Sequence, residues 1–277
     1  MRLDMESRSV AVPGARLEVL DWGSGEPVLF VQTALTADEL RPLATDPALG
    51  GYRKILFHRR GYAGSSPDDG HASIIRDATD CANLLIELAV DRAHVVGLSY
   101  SGAVGLQLAA QAPQRTHTLT LLEPPPVHTP STAEFRAANG KLIATSHELG
   151  PAAALDEFLT MLVGSDWQQV AENQLPGSSA QMRRDAGTFF DADAPALLGW
   201  QFGPEDASRI GCPVLYVGGS QSGLWFAEVR ELLLAWIPGA ENVVIEGADH
   251  SLALTHAPEI AQALARFFGH HPITALG

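Results

Sequence analysis

The chain has 277 residues, a length that fits one large or two small domains and can bury a full core without a metal or disulfide staple. Eighteen basic residues against 32 acidic ones leave a net charge of −14, so the electrostatic footprint for nucleic-acid backbones or anionic membrane surfaces is missing. Charged residues make up 18% and hydrophobic residues 46% of the chain, which excludes a disordered protein.

The chain opens with acids at Asp4 and Glu6, where a signal peptide would carry its apolar segment. No stretch is apolar and long enough to span a bilayer, so the expected location is cytoplasmic. Val10–Val12 and Arg16–Asp21 flank the turn pair Pro13-Gly14 and read as a hairpin. Pro27–Val31, Lys54–Phe57, His94–Gly97 and Leu119–Leu122 follow as short, continuously apolar runs, and Pro213–Val217 and Asn242–Ile245 come late in the chain. Such runs suit strands covered on both faces, as in parallel sheets. Helical patterns alternate with them. Ile74, Ala78, Cys81, Leu85 and Leu88 share one helical face; a second helix runs from Ser99 to Ala112; Glu228–Ile237 and Pro258–Phe268 form two more. Cys81 and Cys212 are too few for a disulfide framework or a multi-cysteine zinc site and read as small buried hydrophobes.

Between Val127 and Ser208 no buried strand is visible. Helix-like pieces such as Ala152–Val163 occur there, with exposed-looking aromatics at Phe158, Trp167, Phe189, Phe190, Trp200 and Phe202. This reads as a helical cap, residues 127–208, inserted into a core made of residues 1–126 and 209–277. Phe158 and Trp167 are expected to line a substrate pocket, although packing onto the body is the ordinary use of such aromatics.

The strongest local signal is Gly97-Leu98-Ser99-Tyr100-Ser101-Gly102, which follows an apolar strand and opens a helix. A sharp turn there lifts the Ser99 hydroxyl above the sheet, provided small residues stand two before and two after it. Gly97 meets that need, and Ser101 is small enough where Gly is usual. A serine hydroxyl needs a base. His250 follows the last strand in the loop Gly247-Ala248-Asp249-His250, at the same end of the sheet, whereas His94 and His117 start strands and fall at the opposite end.

With these motifs the chain resembles proteins of the α/β-hydrolase fold of the esterase, haloperoxidase and epoxide-hydrolase type. His58-Arg59-Arg60-Gly61-Tyr62-Ala63-Gly64-Ser65-Ser66 is similar to that family's Asp-x-Arg-Gly-x-Gly-x-Ser segment, and the resemblance spans nearly the whole chain. It implies an α/β fold: a mostly parallel eight-stranded sheet flanked by helices, its first strand pair antiparallel, with a cap after strand six. Serine at position 99 disfavours the reactions that need an aspartate nucleophile there.

Two departures stand out. Relatives carry the triad acid after strand seven, where this chain has Gly218-Gly219-Ser220-Gln221-Ser222-Gly223. Glu123, at the end of strand six, is expected to supply the carboxylate instead; the other reading is that it orders the Pro-rich turn behind it. Relatives often have His-Gly after strand three, where this chain has Gln32-Thr33-Ala34. The oxyanion donors implied are the backbone N–H groups of Tyr100 and Ala34, with Gln32 and Thr33 available to a ligand. Arg59 and Arg60 either bind an anion or fix their loop. The expected activity is hydrolysis of a small, partly apolar carboxylic ester or lactone through an acyl-enzyme, with no metal or cofactor and a small-molecule substrate as partner. A cofactor-independent lyase, perhydrolase or acyltransferase and a ligand-binding or signalling protein are the alternatives. A homodimer is left open.

Overall fold

Ser7–Val12 (β1) turns at Pro13-Gly14 and returns as Ala15–Trp22 (β2), with Val12 opposite Ala15. Gly14 stands at φ +75°, the left-handed position that follows a proline in a type II turn and that glycine takes without strain. Six more strands follow: Pro27–Val31 (β3), Arg53–Phe57 (β4), Ala93–Leu98 (β5), Thr116–Leu122 (β6), Val214–Gly219 (β7) and Glu241–Ile245 (β8). The computed structural model describes residues 7–273; the first six residues, on which the expectation of no leader rests, lie outside it.

The eight strands form one sheet in the order β1-β2-β4-β3-β5-β6-β7-β8. β2 runs antiparallel to both its neighbours, and every other pair is parallel. Helices cover both faces: Arg41–Ala44 (α1), Ile74–Glu87 (α2) and Tyr100–Gln111 (α3) in the first half of the chain. Alternation along the strands feeds both layers. Leu29 and Val31 of β3 join the apolar layer under α2 and α3, while Val28 and Phe30 join the layer that holds Leu43 of α1. This two-sided burial is why these strands read as unbroken apolar runs. Ser73 ends the loop before α2 by accepting the Arg76 N–H with its hydroxyl, at 3.1 Å.

The segment between β6 and β7 is helical. It comprises Thr132–Leu149 (α4), Pro151–Val163 (α5), Trp167–Gln174 (α6), Ser178–Thr188 (α7), a π-helical turn at Phe189–Asp193, Ala194–Gly199 (α8) and Pro204–Ala207 (α9). Its aromatics are not exposed as their setting suggests. Trp167, Phe189 and Phe190 form a small core of the segment's own with Leu155 and Met182, and Trp200 and Phe202 sink into the main core beside α3. Indole Nε1 of Trp200 donates to Gln107 Oε1 of α3 at 2.9 Å.

Leu224–Trp236 (α10), Leu252–Thr255 (α11) and Ala257–His270 (α12) complete the chain. α10 begins one turn earlier than its sequence pattern indicates, straight after Gly223 at φ +83°. α12 continues through Gly269, because Phe267 and Phe268 just before it are buried against the sheet and hold the last turn in place. Among the described residues no helix is long and apolar enough to cross a membrane.

Candidate active site

β5 ends at Leu98, and α3 begins at Tyr100, so Ser99 alone makes the turn. Its backbone sits at φ +50°, ψ −119°, a region that costs a non-glycine residue about 1–3 kcal/mol. The surroundings enforce it. A Cβ on Gly97 would stand 2.2 Å from the Ser101 carbonyl oxygen, so no larger residue fits two positions before the serine. The Ser99 N–H donates to Leu122 O at 2.9 Å, tying the turn to the end of β6. Ser101, where Gly is usual, uses its hydroxyl within the turn: it accepts from the Leu98 N–H at 2.8 Å and donates to Leu98 O at 2.9 Å. Tyr100 is the first residue of α3, so its N–H belongs to the helix-start donors that lack an intrahelical acceptor.

Glu123 follows β6 directly and is fully buried. It too has a left-handed backbone, at φ +44°. One carboxylate oxygen accepts the Gly219 N–H at 2.7 Å, and the other lies 2.8 Å from His250 Nδ1. The approach depends on glycine: a Cβ on Gly218 would come 3.3 Å from Glu123 Oε1, and one on Gly219 would come 2.2 Å from Ala248 O. So the β7 turn, which lacks an acid of its own, receives one from β6. Gln221 is exposed and joins the loop through its backbone, donating its N–H to Ala248 O at 2.8 Å.

His250 is held on two sides. The carboxylate at Nδ1 selects the Nδ1–H tautomer, which leaves Nε2 as a proton acceptor. The ring lies flat on Phe226, with centroids 4.0 Å apart and planes 17° from parallel. Asp249, next in sequence, points elsewhere; its carboxylate accepts the Ser251 N–H at 2.9 Å and shapes the turn.

Ser99, His250, Tyr100, Ala34 and Thr33 line one cavity of about 140 Å³ beneath the helical segment. Phe158 and Trp167 line it as well, together with Phe135, Met182, Phe189, Trp225 and Phe226. Gln32 does not. Its Oε1 accepts the Arg59 N–H at 2.6 Å, and its carbonyl takes Arg59 Nε at 3.1 Å. The Thr33 hydroxyl donates to Leu98 O at 2.8 Å, bracing the loop against the serine turn. With no glycine in this loop, the left-handed residue is Leu35, at φ +65°, whose N–H donates to Tyr62 Oη at 3.0 Å.

Arg59 fixes structure instead of binding an anion. Its guanidinium meets Asp77 at 2.8 Å and Asp193 at 2.6 Å, and it lies 4.2 Å from the ring centroid of Tyr100. Tyr100 Oη donates to Asp77, and Tyr62 Oη to Asp193. Burial pushes the Asp77 carboxyl up while Arg59 pulls it back, and the net direction is up. Arg60 does the same for the hairpin, binding Asp80 and the carbonyls of Pro13 and Gly14.

Sequence reasoning missed Phe226, Trp225 and Gly219. An apolar side chain or a glycine carries no mark of the partner it will meet across the sheet; the unusual Gly218-Gly219 pair was the one available hint.

A family model described as "Alpha/beta hydrolase family" matches residues 10–263. A protein of Azorhizobium caulinodans named "Putative carbamate hydrolase RutD" is 26% identical over 233 residues, covering 79% of this chain and 82% of that one. A thermophilic esterase from Thermogutta terrifontis superposes with a TM-score of 0.82 at 22% identity, over 96% of this chain and 100% of its own. Est816, described as an N-acyl homoserine lactone degrading enzyme, gives a TM-score of 0.73 at 25% identity, over 94% of this chain and 100% of its own.

Proposed function

The chain belongs to the alpha/beta hydrolase family, and from that membership we propose that it is a serine hydrolase acting on a carboxylic ester or lactone. The observation that carries the reading is the buried Glu123–His250 pair opening onto the same cavity as the strained Ser99. In this reading Ser99 Oγ attacks the substrate carbonyl, and His250 Nε2 takes the hydroxyl proton. The Glu123 carboxylate stabilises the resulting imidazolium. The backbone N–H groups of Tyr100 and Ala34 stabilise the oxyanion. His250 then protonates the leaving alcohol, and the acyl-enzyme is cleaved by a water that His250 activates. The chemistry asks for no metal or cofactor. The lactone-degrading neighbour at 25% identity supports the lactone half of the proposal, and the name of the Azorhizobium relative makes carbamates, which share the attacked carbonyl, the next substrates to screen.

Labelling with a fluorophosphonate tests the nucleophile. The expected result is stoichiometric modification located at Ser99 by peptide mass spectrometry, absent in Ser99→Ala. A folded wild-type protein that takes no label overturns the reading in favour of a binding protein, and a label located elsewhere overturns Ser99 as the nucleophile.

A further inference from the structure

We propose that Glu39 is a specificity-determining residue of this cavity and selects substrates that carry an ammonium group away from the scissile bond. The proposal rests on the serine-hydrolase reading for the place of that bond. Glu39 lies in the loop between β3 and α1, five residues after Ala34, and lines the cavity. No described residue donates a hydrogen bond or offers a cation to its carboxylate. The neighbouring carboxylate, Asp38, takes His58 Nε2 at 3.0 Å and Arg41 at 3.4 Å. Glu39 is half-buried, and desolvation with no partner to offset it pushes its carboxyl up to about 7. An unpaired carboxylate held in such a place is stabilised by whichever ligand brings it a positive charge.

The rest of the lining points the same way. No lysine or arginine is among the cavity residues, so a substrate with a free carboxylate meets Glu39 and no counter-charge. Aromatic rings also line the cavity, Phe135, Phe158 and Trp225 among them, and aromatic faces attract cations. Ser178, also in the lining, has a buried hydroxyl with no hydrogen-bond partner. A carboxylate among aromatic and aliphatic side chains, with no lysine or arginine and His250 the one basic group, suits a cation on an apolar stem.

Two esters of equal shape test this: methyl ε-aminocaproate, which ends in an ammonium, and methyl heptanoate, which ends in a methyl. At about pH 8.5, where Glu39 is ionised and the amine protonated, wild-type kcat/KM is expected to favour the amino ester by about tenfold. In Glu39→Gln the ratio is expected to fall to near one, with Glu39→Asp in between. A wild-type preference for the neutral ester, or a ratio that Glu39→Gln leaves unchanged, overturns the proposal. Binding of hexylammonium and hexanol, followed by fluorescence of the cavity tryptophans, decides the matter without turnover. Tighter ammonium binding that Glu39→Gln abolishes supports the proposal even if neither ester is cleaved and only the hydrolase reading fails. Equal binding of the two probes overturns it whatever the esterase result.

Discussion

Glu123 shows how much a single side chain can depend on its setting. Its two oxygens have different tasks, one accepting the Gly219 N–H and one facing His250 Nδ1. In Glu123→Gln the amide oxygen can still accept from Gly219, so the fold is expected to survive. The amide nitrogen then faces Nδ1 as a donor and forces the imidazole into the Nε2–H tautomer, which cannot take the Ser99 proton that the proposed mechanism requires it to take. The expected loss in kcat is about 10⁴-fold with unchanged circular dichroism, by analogy with the triad Asp-to-Asn change in serine proteases. A kcat within tenfold of wild type removes Glu123 from the mechanism. Ser99, His250 and Glu123 were legible one at a time, from a turn motif, a loop position and a missing acid. The ring of Phe226 against His250 was not, since nothing in its local sequence distinguishes it from any other core aromatic.

At the scale of elements, β5 carries Ser99 at one end and a buried histidine near the other. His94 Nδ1 meets Thr118 Oγ1 at 2.8 Å and Nε2 meets Glu26 at 3.0 Å, while the ring stacks on Phe268 at 4.2 Å. Burial pushes its pKa from the usual 6.5 down to about 4, against the partial opposing pull of Glu26. The folded state therefore holds this histidine neutral while the unfolded chain protonates it. The stability it contributes is complete above about pH 6.5 and drains away as the pH falls toward about 4, by up to about 3 kcal/mol. Urea unfolding across that range should show this loss in wild type and a flatter profile in His94→Gln. Parallel profiles for the two proteins refute the assignment. The sequence placed His94 at the start of a strand, away from the site; its burial comes from α12 closing over it, an arrangement made by a segment some 170 residues later.

For the molecule as a whole, the link that matters joins the helical segment to the body. Asp193, in the π-helical turn, meets Arg59 beyond β4 through both oxygens, at 2.9 and 2.6 Å, and accepts from Tyr62 Oη at 2.6 Å. Arg59 in turn reaches Asp77 on α2, which holds the Tyr100 hydroxyl at the start of α3. One chain of polar contacts thus runs from the segment to the residue beside Ser99. Asp193→Ala removes one partner of a buried network and should cost about 3–5 kcal/mol. Faster hydrogen exchange in α7 and α8 of the variant than in the same helices of wild type, with the strands unchanged, would report a loosened segment; equal protection in variant and wild type would show that apolar packing alone holds it.

The sequence by itself determined the strands, the helices between them, the serine turn and the histidine loop, because periodicity and turn chemistry are set by residues close along the chain. It also marked the segment between β6 and β7 as helical. Only the tertiary structure decided which carboxylate meets His250, which aromatics line the cavity and which vanish into the core, and that Gln32 and Arg59 brace each other. Those outcomes depend on distances between residues tens to more than a hundred positions apart. Such distances are fixed by sheet order and by the packing of two apolar layers, and no local pattern encodes them.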